Sequence, residues 1–283
     1  MITKDAQEAK VFEAQLQKYK KTPTHKAPRV VIMGDPGAGK TWWALTSESP
    51  FLINSDDGAA EVMAQKGLEY SLDVIPSRDV EEDAVKWDEI VGLTDFILHG
   101  EHDFKNLVID SLDGLEKLYE AWACRKNKWA NMEDVGYGKS YAVTRGILQG
   151  FLSKLSRIRD ERNMGIIICA HTVIRDVNDP RIGQYSSHTL KLHKNSNPDV
   201  REWSDALLFL AYEQSKVMDK GKFNQANVTL SQTANRYLLC QGGRGVQAKN
   251  RYNLPEELYA QEGEELYHAF VRSVKENRPK KGD

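Results

Sequence analysis

The segment RVVIMGDPGAGKTWWAL, residues 29–45, constrains the fold of this chain more than any other. An apolar run typical of a buried strand leads into a glycine-rich loop, which a lysine and a threonine follow. Gly34, Gly39, Lys40 and Thr41 fill the fixed positions of the pattern G-x-x-x-x-G-K-[ST]. A loop of this kind points successive backbone N–H groups at one anion, so it predicts a phosphate site.

The loop predicts binding of a magnesium–nucleoside triphosphate. We expect Lys40 to reach the β- and γ-phosphates and the Thr41 hydroxyl to ligate Mg²⁺. The predicted contacts to the nucleotide are Gly34, Asp35, Pro36, Gly37, Ala38, Gly39, Lys40, Thr41 and Trp42. A chance glycine loop between a strand and a helix is the alternative. It is the weaker one, because all four fixed positions are met and a strand-like run precedes them.

The composition is that of a globular protein without a membrane segment. The longest wholly apolar run, residues 166–170, is far too short to span a bilayer, and the N-terminal residues are polar, so we expect a cytoplasmic protein with no membrane partner. The three cysteines are far apart in sequence, which favours isolated thiols over a disulfide framework or a zinc site. With 39 basic and 41 acidic side chains, nucleic-acid binding would require a local basic patch.

Apolar runs alternate with helical spacing along most of the chain. Strands are predicted at 51–54, 72–76, 106–110 and 165–171, and helices at 79–98, 111–129, 141–162 and 264–274. This alternation predicts an α/β fold with a mostly parallel central sheet flanked by helices, and the runs after residue 204 predict antiparallel edge strands. Ligands of such sheets bind beyond the carboxyl ends of the strands.

Polar residues follow three of the predicted strands at that edge. Asp56 and Asp57 come after the strand at 51–54, Asp110 ends the next buried strand, and His171 ends the strand at 165–171. An aspartate after such a strand holds the magnesium ion in many nucleotide-hydrolysing proteins, so Asp110 is the expected metal residue. Its alternative role is a cap of the following helix. His171 is a candidate catalytic residue, and a structural histidine is the alternative.

Two motifs of other nucleotide-binding proteins are missing from the sequence, which limits the kind of nucleotide site. No N-K-x-D motif that reads guanine occurs in the sequence. Ser111 follows Asp110, so no glutamate adjoins the metal aspartate, and the catalytic base must come from another strand. The candidates are Asp56 and Asp57, and if the strand persists through them, Asp57 faces away.

The ordered set of motifs resembles a known family. GDPGAGKT, the acid after FLIN, LVIDS, IIICAH and AKNRYNLPEEL together resemble the RecA-fold core of phage single-strand annealing ATPases, over residues 29–258. The resemblance implies an ATPase that uses ATP and Mg²⁺ and promotes annealing or homologous pairing on single-stranded DNA. It implies a homo-oligomer, either ring or filament, in the cytoplasm of a bacterial host, with a single-stranded DNA-binding protein as a candidate partner. The family usually carries glutamate where this chain has the shorter Asp56.

Two further segments carry candidate residues for DNA binding and for action across subunits. The segment 172–202 is predicted as a long loop, with a hairpin as one option, that binds DNA through Arg175, Arg181, Lys191 and Lys194; a solvated linker is the alternative. Lys249 and Arg251 resemble a K-x-R element that enters the neighbouring subunit's active site, where cations stabilise γ-phosphate charge. A basic surface turn is the alternative for this pair.

These predictions give a domain plan and three candidate functions. Residues 1–28 form an N-terminal helix, over 5–20, and a connector; 29–258 form the ATPase core; 259–283 form a C-terminal helix and a basic tail. The N-terminal helix either packs on the core or docks on a neighbouring subunit. Besides a recombination ATPase, the chain fits a helicase or helicase-loading motor, or a nucleotide-regulated assembly ATPase without DNA.

Overall fold

A twisted α/β sheet organises the computed structural model, which describes residues 25–220, 226–243 and 245–278. The predicted N-terminal helix over 5–20 lies outside the described residues, as does most of the basic tail. The strands are β1 (Arg29–Gly34), β2 (Pro50–Asn54), β3 (Ser71–Asp73), β4 (Asn106–Asp110), β5 (Gly165–Asp179), β6 (Gly183–Leu190), β7 (Ala206–Lys220), β8 (Ala226–Leu239), β9 (Lys249–Asn250) and β10 (Glu257–Tyr259).

Helices cover both faces of this sheet. They are α1 (Lys40–Leu45), α2 (Ala60–Lys66), α3 (Val80–His99), α4 (Leu112–Asn127), α5 (Lys139–Arg162), α6 (Asn197–Trp203) and α7 (Leu266–Glu276), with a short 3₁₀ turn at Gly136–Gly138. Within the described part of the chain, no helix is both long and apolar enough to cross a membrane.

The strand order is β10-β8-β7-β1-β5-β4-β2-β3, with β6 paired to β5 and β9 to β7. The run from β7 through β3 is parallel, and β8 and β10 add antiparallel strands at one edge. This confirms the predicted fold class. One strand, β5, lies between β1 and β4, so the carboxyl end of β5 lies between the glycine-rich loop and Asp110.

Each strand divides its side chains between two hydrophobic layers, because successive residues of a strand point to opposite faces. In β4, Leu107 and Ile109 join the layer that contains α3, α4 and α5, whereas Val108 joins the layer that contains α1 and α7. All three are fully buried, as expected for a parallel sheet covered on both faces. The core therefore fixes the register of the strands whose ends form the site.

The predicted C-terminal helix packs directly against the helix that follows the glycine-rich loop. The ring of Trp43 in α1 lies 5.1 Å from Tyr267 and 5.5 Å from Phe270, both in α7, in edge-to-face contacts. Aromatic pairs at this separation stabilise a contact beyond the area that they bury. The C-terminal segment is thus part of the support of the loop.

The prediction of a long loop over 172–202 is wrong, although its hairpin is present. Strand β5 continues to Asp179 and pairs with β6 in antiparallel register from Thr172↔Leu190 to Asp179↔Gly183, and α6 follows. The run TVIRDV is rich in β-branched residues, which favour strands, and Pro180 and Gly183 bound the turn. Two smaller differences are that β3 ends at Asp73, and that β7 lies inside the sheet beside β1.

A close approach between β2 and α4 gives a stability prediction. A Cβ added at Gly114 in α4 would lie 2.6 Å from the carbonyl oxygen of Ser55, just after β2, whereas a Cβ at Gly146 in α5 meets nothing within 4 Å. We expect Gly114→Ala to destabilise the fold by about 1–3 kcal/mol. Gly146→Ala, the matched control, should stabilise it by roughly 0.5–1 kcal/mol. Urea unfolding measures both; equal effects of the two changes would contradict the close packing.

Candidate phosphate and metal site

The glycine-rich loop holds its lysine in place. Strand β1 ends at Gly34, Gly39 adopts the left-handed conformation with φ of 99°, and α1 begins at Lys40. The Lys40 side chain is buried, and its Nζ donates to the carbonyl oxygens of Gly34, at 3.0 Å, and Asp35, at 3.1 Å. The ammonium group is therefore fixed over the loop, where it can neutralise phosphate charge.

Other loop positions have separate reasons for their residue type. A Cβ at Gly34 would lie 2.6 Å from the carbonyl oxygen of Leu210, so glycine lets β7 approach β1. The Trp42 ring lies under Lys66 Nζ, 3.9 Å from the ring centroid, and its Nε1 donates to Glu265 at 3.2 Å. Because the indole ring makes these contacts, the backbone N–H of Trp42 is the group that can bind phosphate.

Asp110 and Thr41 meet at the carboxyl end of β4. Thr41 Oγ1 donates to Asp110 Oδ2 at 2.5 Å, and Asp110 is buried. Burial raises the pKa of Asp110. The hydrogen bond from Thr41 opposes that rise, whereas the charge of Asp56 adds to it. The helix cap is Ser111, whose side chain accepts from Gly114 N, so Asp110 does not cap α4.

Asp56 faces this site and Asp57 does not. Strand β2 ends at Asn54, so the two aspartates lie in the turn beyond it. Asp56 is half-buried, with its Oδ2 3.6 Å from His171 Nε2, whereas Asp57 is exposed. The structure thus distinguishes the two candidate bases by position.

His171 is held by a residue that the sequence did not single out. Its Nδ1 lies 3.0 Å from Asp113 Oδ1 in α4, and its backbone N donates to the same oxygen at 3.2 Å. A carboxylate only accepts hydrogen bonds, so Nδ1 carries a proton and Nε2 faces Asp56. Burial alone would raise the pKa of Asp113, but the bonds from His171 outweigh it and hold that pKa at about 2.

The four predicted DNA-binding cations are spread over the β5–β6 hairpin and the chain that follows it. Lys191 lies beside the phosphate site, with its Nζ 3.8 Å from Asp113 Oδ2. Arg181, at the hairpin turn, is ion-paired with Asp179 at 2.9 Å, and Arg175 donates to the carbonyl oxygen of Leu192 at 2.6 Å. Lys194 is exposed. They do not form one cationic stripe.

Lys249 and Arg251 lie near the amino ends of the parallel strands, whereas the glycine-rich loop of their own chain follows the carboxyl end of β1. Lys249 pairs with Leu207 near the start of β7, and its Nζ donates to the carbonyl oxygens at the end of α6, including that of Ser204 at 2.7 Å. Arg251 Nη1 donates to Asp205 Oδ1 at 3.1 Å. Both have roles within the chain, and their action across a subunit boundary stays a prediction.

The sequence model of the AAA domain matches residues 26–252, well over half of the chain and all of the site described above. The chain belongs to the AAA-domain family. This supports a P-loop ATPase, as the loop pattern predicts, without specifying annealing or recombination. No curated protein matches the chain.

The residues of this AAA domain fit a magnesium ion. Mg²⁺ prefers oxygen ligands and is usually held by one or two protein groups together with substrate phosphates. Thr41 Oγ1 and Asp110 Oδ2 are such oxygens, already in contact and next to Lys40. The described residues contain no group of three or more His, Cys, Asp or Glu suited to a metal, so the phosphates would complete the coordination.

Several residues of the AAA-domain site escaped the sequence reasoning. Asp113 had a signal, since it lies three residues after Asp110, in the first turn of the helix that begins at that end of β4. Arg236 and Tyr212 had none. Arg236 contacts the loop at Gly39 from β8, almost two hundred residues away in sequence, and only the strand order reveals that approach.

Substitution tests which of the two aspartates after β2 is the catalytic base. We expect Asp56→Asn to lower steady-state ATP turnover by at least about a hundredfold with ATP binding retained, because the amide cannot take a proton from water. The exposed Asp57→Asn, its matched control, should hydrolyse ATP at close to the wild-type rate. The reverse pattern would assign the base to Asp57.

The depressed pKa of Asp113 gives a pH prediction. Its carboxylate stabilises the fold while ionised; that contribution is complete above its unfolded pKa of about 4 and is lost as the pH falls through about 2. We expect Asp113→Asn to be less stable than wild type by about 1–2 kcal/mol at pH 7, with a smaller gap at pH 3. Urea unfolding at both pH values measures the gap, and the exposed Asp57→Asn is the control. A gap that stays constant would contradict the assignment.

Proposed function

We propose that this AAA-domain protein is an ATP-hydrolysing DNA recombination protein that assembles on single-stranded DNA and promotes annealing or homologous pairing. The family supports the ATPase part. The DNA part is supported by one observation: the strand that places His171 at the phosphate site continues without interruption into the β5–β6 hairpin. Occupancy of the hairpin and the state of the nucleotide can therefore influence each other.

The hydrolysis step follows from the arrangement of the side chains. Water attacks the γ-phosphorus; the bond to the ADP oxygen breaks, and the water proton passes to Asp56. Thr41 and Asp110 would hold a Mg²⁺ ion, which would neutralise part of the phosphate charge. Lys40 holds the β- and γ-phosphates, and His171, fixed by Asp113, presents Nε2 toward Asp56.

Helix α4 links the hairpin to the phosphate site. Asp113 accepts from His171 before the hairpin and lies near Lys191 after it. One turn further, both carboxylate oxygens of Glu116 accept from the backbone N of His193 at 3.0 Å. Both ends of the hairpin are thus tied to the same helix face, and a displacement of either end moves groups around His171.

A stacking surface lies at the foot of the hairpin. Tyr141, at the start of α5, stacks on His193 with ring centroids 3.9 Å apart and planes within 2°. Burial lowers the pKa of His193, and the nearby Lys194 and Arg175 lower it further, so an uncharged ring is favoured beside two cations. The Tyr137 side chain, on the preceding turn, is fully exposed.

Protein sites that bind single-stranded nucleic acids combine aromatic rings with cations. Bases stack on exposed rings, and each stacked base contributes about 1–3 kcal/mol, while cations neutralise the backbone. Tyr137, Lys139, His193 and Lys194 form what we call the stacking surface; the side chains of Tyr137, Lys139 and Lys194 are exposed. This surface replaces the hairpin turn, where Arg181 is already paired with Asp179, as the proposed DNA site.

A nucleotide-regulated assembly ATPase without DNA is the second candidate. It is favoured by the net charge of −2 and by the acidic residues near the stacking surface, such as Glu133, whose Oε1 accepts from Tyr141 at 3.4 Å. Under either function we propose a homo-oligomer, ring or filament, because Lys249 and Arg251 lie far from the phosphate loop of their own chain.

The deciding experiment measures ATP hydrolysis with and without single-stranded DNA. We expect hydrolysis to rise severalfold with DNA and to be abolished in Lys40→Ala, which cannot neutralise the β- and γ-phosphates. A wild-type rate that DNA leaves unchanged would favour the assembly ATPase, and a Lys40→Ala variant with normal ATP affinity and rate would refute the nucleotide site.

The stacking surface is tested by a second set of variants. Lys139→Ala with Lys194→Ala should weaken binding of single-stranded DNA and lower the logarithmic salt slope by roughly 0.7 for each DNA phosphate that the variant no longer neutralises. The control pair, Lys154→Ala with Lys275→Ala, removes two lysines from α5 and α7, outside the surface. If both pairs leave affinity and slope unchanged, DNA does not bind there.

A further inference from the structure

A tyrosine and an arginine from the strands beside β1 lie against the phosphate loop. Tyr212, in β7, pairs with Arg236, in β8, so both side chains project from the same face of the sheet. Tyr212 Oη donates to the carbonyl oxygen of Gly37 at 3.1 Å, and Arg236 Nη2 donates to Tyr212 Oη at 2.9 Å. The guanidinium carbon lies 5.0 Å from the Tyr212 ring centroid.

The guanidinium group of Arg236 occupies the space above Gly39. A Cβ at Gly39 would lie 3.3 Å from both Nε and Cζ of Arg236. Arg236 is exposed. A cation beside an anion-binding loop has unused donors for the anion, and guanidinium presents them in a planar fork suited to phosphate oxygens.

The backbone supports this direction of approach. The pairing of β7 with β8 shifts register directly after Tyr212, before Gln214. Such an irregularity bends a strand and redirects its side chains, and it is common beside active sites. On the β7 side, the Tyr212 hydroxyl thus contacts the loop at Gly37, and the Arg236 guanidinium lies beside Gly39.

The two sides of the loop differ in charge. On the β5 and β4 side lie Asp56, Asp110 and Asp113, which suit a metal ion and the bond that breaks. Beyond Arg236, on the other side, lies an open cavity of about 520 Å³, lined by residues that include Glu213, Asn235 and Gln261. Its carboxylates repel phosphate, and its carboxylate and amide oxygens accept hydrogen bonds from hydroxyl and amino groups, which a nucleoside carries.

We propose that Arg236 binds the α- and β-phosphates of the nucleotide held by its own chain, that Tyr212 positions Arg236, and that the nucleoside lies in the adjoining cavity. This rests on the proposed nucleotide binding and adds residues that no loop motif contains. Since ATP and ADP share these two phosphates, Arg236 acts on the affinity for both. It does not act on the γ-phosphate, where the rate of hydrolysis is decided.

Nucleotide affinity in the full chain tests the proposal. Binding of ADP, of a non-hydrolysable ATP analogue and of pyrophosphate is measured by calorimetry for wild type, Arg236→Ala, Arg236→Lys and Tyr212→Phe. We expect Arg236→Ala to weaken all three ligands about tenfold or more, which is the loss of one charge-assisted bond to phosphate. Arg236→Lys should restore part of the affinity, and Tyr212→Phe should lose less than Arg236→Ala.

The control is Arg157→Ala, which removes an exposed arginine of α5 paired with Glu161 on the same helix. It should leave all three affinities unchanged. Thermal unfolding of each variant identifies those that fail to fold, and in that case Arg236→Lys alone decides, by a partial loss for ADP and pyrophosphate at wild-type stability.

Three results would overturn the proposal. Unchanged ADP and pyrophosphate affinity in Arg236→Ala excludes a phosphate contact. A fall in kcat with unchanged affinity places Arg236 on the γ-phosphate instead. A loss for nucleotides but not for pyrophosphate assigns it to the base.

Mixing variants tests whether Arg236 serves its own chain. At an ATP concentration too low to saturate Arg236→Ala, both Arg236→Ala and Lys40→Ala hydrolyse little ATP, and a mixture of the two should be no more active than its parents, because no chain in it has both groups. Recovery of ATP hydrolysis would show action across a subunit boundary and overturn the proposal; the parallel mixture with Arg251→Ala should recover if Arg251 acts in that way. If Lys40→Ala loses nucleotide and Arg236→Ala does not, only this proposal fails; if neither loses nucleotide, the nucleotide site itself fails.

Discussion

The position of β5 between β1 and β4 is the constraint on which the site depends. Parallel pairing aligns the carboxyl ends of β1 and β4 with the middle of β5, from Gly34↔His171 on one side of β5 to Asp110↔Cys169 on the other. The register is fixed by side chains buried on both faces, since a slip by one residue would exchange the two hydrophobic layers. The glycine-rich loop, Asp110 and His171 are therefore brought together by packing in the sheet, and their mutual contacts only refine that arrangement.

Helix α4 converts this arrangement into a connection between two surfaces. Its acidic face presents Asp113 to His171, Glu116 to the backbone of His193, and Glu120 toward the turn before α5. Burial raises the pKa of Glu120 to about 7, and the charges of Glu116 and Glu133 add to that rise, so the face holds less negative charge than three ionised carboxylates. Asp113 and Glu116 thus accept hydrogen bonds from the two ends of the hairpin, whereas Glu120, beside other carboxylates, is partly protonated near pH 7.

The sequence predicted those parts of the molecule in which local pattern and chemistry coincide. The loop from Gly34 to Thr41, the buried strand before Asp110 and the order of β and α elements follow from apolar periodicity and a motif whose geometry is backbone-determined. The extent of β5 was missed, because its outer half is polar and pairs only with β6. Arg236 could not be predicted, since its place at Gly39 follows from the pairing of β8 with β7, a long-range contact without a local signal. The position of Lys191 beside Asp113 lacked a local signal for the same reason, because it follows from the return of the chain after β6.

The two flanks of the loop suit different parts of a nucleotide. On the β5 flank three aspartates surround His171, and a terminal phosphate can approach them only when a divalent cation offsets their charge. The burial of Asp110 increases the need for that cation, because a buried carboxylate is poorly solvated. Lys40 is fixed over the loop itself and Arg236 lies on the β7 flank, so two cations attract the diphosphate part of the ligand without a metal ion. The charge distribution therefore separates holding the nucleotide from cleaving it. Under the proposed function, the flank that cleaves is the one tied through Asp113 to the hairpin, so we expect a ligand at the stacking surface to influence the rate of hydrolysis more directly than the affinity for the nucleotide.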